Sequence, residues 1–374
     1  MKKLALLSFA ALGIASLTQA ASAMSIAEQH GWTPVFTAIP RPVDMRAVLR
    51  GVQTGSTIQT WTSSIKSPLD HNTYNFTIVG TDPSKGGVST TIKYMPIAVK
   101  WHFPGGIVID PTKPGCNDTV SVVNRFFQGP MFSNVPNSSN GVTLPTTQTT
   151  DAFQIAEFWK YTQNSNYHVL MSPVGPHITI VNANAPAGSA VQAGGCSGSG
   201  HDLGEIPINA FDAIEQQLAL KYTKTASVMP VILSYNIVET SGGCCIIGYH
   251  SVLTNHGNPQ PYATGAYTDP GIFPTGDQDI WAWQHEMGEI FNDPYINNAT
   301  PAWGHVGQVS GCQNNLEVGD PLTGTNYALS ENGFTYHPQE LAFFSWFFRQ
   351  NPSIGTGGKY SYKGTFSSAQ GTCN

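Results

Sequence analysis

The stretch that most limits how this chain can fold runs from Asp277 to Pro294, and its centre reads His285-Glu286-Met287-Gly288-Glu289. Ile280, Trp283, Met287, Ile290 and Phe291 recur at helical spacing and predict a helix with one apolar stripe turned to a core. Thr275, with Gln278 three residues on, fits a capping box; Asp277 and Asp279 put negative charge at the start, and Pro294 forbids continuation. His285 and Glu289, four residues apart, share the opposite face. Beside them stand Ala282 and Gly288, not the Lys and Glu of a solvated stripe, so this face too is expected to be covered.

Two such donors one turn apart can grip a metal ion, with Glu286 beside them as a base. A catalytic metal asks for at least three protein donors and an open position. The third must come from elsewhere. The run Asn-Leu-Glu-Val-Gly-Asp-Pro offers Glu317 and Asp320, and His305, His337 and Asp293 are further candidates. Glu317 is favoured, since the 28 residues that separate it from Glu289 leave room for a turn and a returning segment. One histidine with two carboxylates is a harder, more anionic set than zinc usually receives, which leaves calcium, manganese and iron open beside it. The bland alternative is a surface helix whose carboxylates are merely hydrated.

The set His285-Glu286-x-x-Glu289-x-x-x-Asp293-Pro294, followed by Trp303 and Glu317-Val318-Gly319-Asp320, resembles a pattern of secreted bacterial proteins. The plant phosphate-induced, EXORDIUM-like proteins carry a similar one. The resemblance covers about Tyr249 to Asp320, taking in Gly248-Tyr249-His250, and does not extend to the N-terminal half. Plant members commonly have Asn where this chain has Asp293, and Ile where it has Val318. In that group the arrangement is similar to zincin metallopeptidases. The resemblance therefore implies His285, Glu289 and Glu317 as metal ligands, Zn2+ as the first candidate ion, and Glu286 as the catalytic carboxylate.

The first residues, Met-Lys-Lys and an apolar run from Leu4 to Leu17 ending in Ala21-Ser22-Ala23, read as a secretory leader over residues 1–23. Cleavage is expected after Ala23, with Ala20 second. No later apolar run has the length of a membrane span. The mature protein is accordingly expected outside the cytoplasm, secreted or periplasmic. Its six cysteines, Cys116, Cys196, Cys244, Cys245, Cys312 and Cys373, read as up to three disulfides, with Cys312–Cys373 the preferred pair. Cys244 or Cys245, being adjacent, could instead stay a buried thiol. Charged residues make up only 11% of the chain, against about 25% in an average domain, so few groups titrate. Losing Lys2 and Lys3 takes the formal charge from -6 to -8, a balance that argues against nucleic acid as a partner.

About 350 residues after the leader exceed what one core usually holds. The expected fold class is α+β: a β-rich N-terminal lobe, residues 24–194, and a zincin-like C-terminal lobe, residues 205–374, around the motif helix. Glycine-rich residues 194–204 form the boundary. Strands are expected at 76–79, 91–101, 107–109, 168–171 and 177–181, and as a pair at 228–238 and 244–253. Helices are expected at 120–127, from an Asp151 N-cap to Tyr161, and at 208–222. Residues 134–150 read as a surface excursion, and a proline-rich linker leads into the motif helix. An aromatic helix from Pro338 to Arg349 should be buried. The Cys245–Leu253 strand is a candidate edge for pairing with an extended substrate.

Other chemistries find less support. Neither Ser197 nor Ser199 completes a G-x-S-x-G turn, and no phosphate-binding loop is present. Glycosidase carboxylates have no sequence spacing of their own, and Glu157, Glu205, Glu215 and Glu239 are available. The expected function is a metal-dependent hydrolase, first of all a zinc endopeptidase acting on an extracellular peptide or protein. The alternative is a non-catalytic, EXORDIUM-like binding or signalling protein with a structural metal.

Overall fold

The computed structural model describes residues 24–194, 196, 201–274 and 276–373. The leader read from residues 1–23 lies outside them, as do Thr275 and both serines tested for a nucleophile elbow. Among the described residues no helix is long and apolar enough to cross a membrane.

The fold is mixed α/β and strand-rich, built on one eleven-stranded sheet. Its main path runs through Ala190–Gln192, Leu203–Pro207, Ile237–Thr240, Ile246–Asn255, Asn258–Tyr267, Val228–Tyr235, Thr90–His102 and Val108–Ile109. Val169–Pro173 and Thr179–Asn184 add to Thr90–His102, and Val35–Ile39 adds in parallel to Ile246–Asn255. The sheet takes strands from both sides of residues 194–204, so the expected lobe boundary coincides with no break in it. One apolar cluster likewise joins Ile97 and Trp101 to Trp283, Ile290 and Phe347. The core is continuous because parallel pairing of Thr90–His102 with Val228–Tyr235 stitches the two halves together.

The helices at 122–127 and 208–222 form as expected. Elsewhere the backbone departs from the sequence reading, each time for a visible reason. The supposed linker contains the strand Asn258–Tyr267, whose prolines, Pro259 and Pro261, face the side its second neighbour reaches only from Ala263 onward. Asp151 does not cap a helix but lies within Thr149–Glu157, where its carboxylate accepts from Val169 N (2.5 Å), Thr147 Oγ1 (2.6 Å) and His168 Nδ1 (2.7 Å). Residues 134–150 are no surface excursion: Asn137 and Ser139 are buried and bind main-chain carbonyls at Val135, Thr147 and Tyr362. The aromatic segment keeps helix only at Phe344–Phe347, because the amides of Glu340, Ala342 and Phe343 go to Thr325, Val318 and Tyr360. Arg349, at φ 51, spends its guanidinium on five carbonyls, among them Pro301 and Gly371.

Three disulfides close the chain: Cys312–Cys373 as expected, Cys116–Cys196, and Cys244 with its neighbour Cys245, so neither of these two is a free thiol. Three disulfides fit an oxidising compartment.

Candidate metal centre

The motif helix runs from Trp281 to Asn292, later than the capping box would start it, and has no acid in its first turn. Asp279 stands before it at φ 46 and serves the entry differently, accepting from Ile280 N (2.6 Å) and His337 N (2.9 Å). All twelve helical residues are buried, against the sheet through Ile246–Asn255 and Asn258–Tyr267 on one side. A Cβ on Gly265 would stand 2.9 Å from Trp283 N, so glycine there is what lets helix and sheet approach. Past the helix, Asp293 accepts from the amides of Asn297 (2.9 Å) and Asn298 (3.0 Å) and shapes the loop; it is no donor to the centre. His337 is hydrogen-bonded to Asp279 (2.7 Å), as a structural histidine.

With no solvent on any face, every polar group of this helix needs a partner inside the protein. His285 is wholly buried, its ring stacked on Phe36 at 3.5 Å between centroids. Gln339 Nε2 donates to Gly319 O (2.7 Å), which turns Gln339 Oε1 to His285 Nδ1 (3.1 Å). Nδ1 must then carry a proton, and neutral His285 presents a bare Nε2. Such an outer partner is what fixes the tautomer of a metal-ligating histidine. That Nε2 lies 3.0 Å from Glu289 Oε1 and 3.5 Å from Asp320 Oδ1. Asp320 is held in turn by the side-chain amides of Gln308 and Gln313, and Glu289 Oε1 by Gly319 N (3.1 Å). A Cβ on Gly319 would fall 2.5 Å from the His285 ring, so the glycine of Glu-Val-Gly-Asp is a steric requirement of the site.

His250, from the strand Ile246–Asn255, enters from the sheet side. Its Nδ1 lies 2.9 Å from Glu286 Oε2 and 3.3 Å from Glu289 Oε2, and its Nε2 lies 3.5 Å from Glu317 Oε2. Glu317 Oε1 accepts from Asn315 Nδ2 (2.8 Å). Of the residues expected from the sequence, His285 and Glu289 meet. The carboxylate that completes their set within 4.8 Å is Asp320, while Glu317 faces His250. Glu286 turns to His250 as well. The sequence reading did not single out His250 as a donor, although the resemblance took in Gly248-Tyr249-His250; in the structure a Cβ on Gly248 would come 2.8 Å from Glu286 Oε1.

Four enclosed atoms, His250 Nε2, His285 Nε2, Glu286 Oε1 and Glu317 Oε2, have no hydrogen-bond partner among the described residues. Unpaired buried polar atoms are costly, and buried charges cost several kcal/mol each, ~10 kcal/mol or more together, unless something compensates them. Burial disfavours charge at all six ionisable groups, and their mutual contacts decide the outcome. At His285 the carboxylates of Glu289 and Asp320 overcome burial and hold the imidazole well above its usual range; at His250, Glu317 and Glu286 do the same. Burial pushes Glu286 up to about 7 against its bond to His250, and raises Glu317 with help from the charge of Glu289. Glu289, despite burial, is held low by His285 and His250. A divalent cation fits this donor set: nitrogen and oxygen donors, buried, unpaired and convergent. Two other donor groups, Cys116 with Cys196, His201 and Asp269, and His305 with Cys312 and Cys373, have their sulfurs committed to disulfides.

Glu289, Glu317 and Asp320 form the floor of an open cleft of about 530 Å³. One wall is the strand Val35–Ile39, the other the strand Val309–Asn315, which among the described residues pairs only with Ala299–Val306. The expected edge strand, Cys245–Leu253, is not an edge: Val35–Ile39 covers it on one side and Asn258–Tyr267 on the other. The open edge belongs to Val35–Ile39 itself. At Phe36 the Gln308 side chain fills it, accepting from the amide (2.7 Å) and donating to the carbonyl (3.1 Å). The chain matches no family model, no curated protein and no solved structure in the comparisons made with each.

Proposed function

We propose that this protein is a metal-dependent hydrolase that cleaves extended peptide chains. The observation that carries the reading is the convergence of His285 Nε2, its ring anchored through Nδ1 by Gln339, with Glu289 and Asp320 at the floor of a cleft walled by two strand edges. A divalent cation there, zinc first, would supply Lewis acidity, the capacity to polarise a carbonyl and to acidify a water. His285 Nε2, Glu289 and Asp320 would hold it. The strand Val35–Ile39 orients the substrate by main-chain pairing, since Ala38 turns the same way as Phe36 and borders the cleft.

Two carboxylates beside these donors keep a free oxygen, Glu286 Oε1 and Glu317 Oε2. Glu317 borders the cleft; Glu286 is turned to His250 and does not. Glu317 is therefore the proton acceptor assigned here, taking a proton from water and returning it to the departing amine. Glu286, which the sequence offered for that part, orients His250. The zinc-loaded protein should cleave a quenched fluorogenic peptide library, and Glu317→Gln should lower turnover roughly 100-fold or more at unchanged zinc content. Full turnover in Glu317→Gln would return the role to Glu286, and no cleavage by the zinc-loaded wild type would sink the hydrolase reading.

A further inference from the structure

Glu289 turns its two oxygens to two different histidines. Oε1 lies 3.0 Å from His285 Nε2, and Oε2 lies 3.3 Å from His250 Nδ1. Two donor sets thus meet at one side chain: His285 and Asp320 with Glu289 on one side, His250 and Glu286 with Glu289 on the other. Within each set the donor atoms lie within 4.8 Å of one another. We propose that the centre binds two divalent cations, with Glu289 as the carboxylate bridging them.

Two observations support the second position. The separations around His250, 2.9 and 3.3 Å, match those around His285, 3.0 and 3.5 Å, and both suit the edge of a tetrahedron with ~2.1 Å bonds, about 3.4 Å. A second ion held by His250 Nδ1, Glu286 Oε2 and Glu289 Oε2 would leave His250 Nε2–H to donate to Glu317 Oε2, 3.5 Å away, as the outer carboxylate a ligating histidine commonly has. A carboxylate bridge suits ions about 3.5–4 Å apart, the spacing of co-catalytic pairs.

The proposal extends the single-cation reading above, and its test needs no substrate. Chelator-treated full-length protein is dialysed against Zn2+, and bound zinc is counted by elemental analysis. Two zinc ions per chain are expected for the wild type and one for His250→Gln. Loaded with Mn2+, the wild type should give an exchange-coupled electron paramagnetic resonance spectrum. A wild-type count of one overturns the proposal, as do two ions retained by His250→Gln or a wild-type manganese spectrum without coupling. If His250→Gln does not fold, the wild-type count and spectrum decide. A count of one leaves the hydrolase reading intact, and an absence of cleavage leaves the count standing, so the two fail separately.

Discussion

Gln339 never touches the cleft, yet it decides which nitrogen of His285 is free. Its replacement by leucine should weaken zinc binding about 10- to 100-fold, the usual effect of losing such an outer partner, and should also lower the stability of the metal-free protein by about 1–3 kcal/mol for each buried group left unpaired, Gly319 O and His285 Nδ1. Isothermal titration with zinc checks this. His168 gives a pH prediction away from the centre. The hydrogen bond to Asp151 outweighs burial and raises its imidazole. A raised histidine adds stability that is fully present below its unfolded pKa of about 6.5 and fades as pH rises through the folded value. The wild type should therefore lead His168→Gln in urea melts at pH 5.5 and lose much of that lead by pH 8.5. At this scale the sequence was partly legible. His285 and Glu289 announce themselves by a four-residue step on a helix. His250 sits on a strand, where neighbouring residues say nothing about which carboxylate lies opposite.

Among elements, the motif helix was legible because its apolar stripe has a strong period and Pro294 marks its end. Its first turn was not, since Asp279 adopts a left-handed backbone and bonds across to His337. The aromatic segment misled for a related reason: with apolar side chains all round, its spacing is equally compatible with an irregular buried segment. The edge strand was placed one strand too far in. Val35–Ile39 and Ile246–Asn255 pair across more than 200 residues, Ser251 bonding Ile39 O at a separation of 212, and no local pattern encodes such a partner. The strand Val309–Asn315 has only one partner among the described residues, so the wall it forms depends on its anchors.

Across the whole molecule, Cys312–Cys373 is such an anchor, tying that strand to the C-terminal segment across a separation of 61 residues. Closing a loop of that size stabilises by about 4 kcal/mol through the entropy of the unfolded chain. The double replacement Cys312→Ser and Cys373→Ser should lower stability by roughly that amount, read by chemical denaturation. The eleven-stranded sheet was the least legible property of all. Chain length suggested two lobes, but what links the halves is parallel pairing between segments more than a hundred residues apart, such as Lys93 with Val228.

Gln308 gives the cleft a direction. Its side-chain amide is a peptide group in shape, and it already satisfies both main-chain atoms of Phe36. If the proposed function holds, a guest chain aligned on that wall finds the berth at Phe36 taken and begins at Ala38, so the groove is a dead end on one side, and how far a guest can slide past the carboxylate floor is set by a single glutamine.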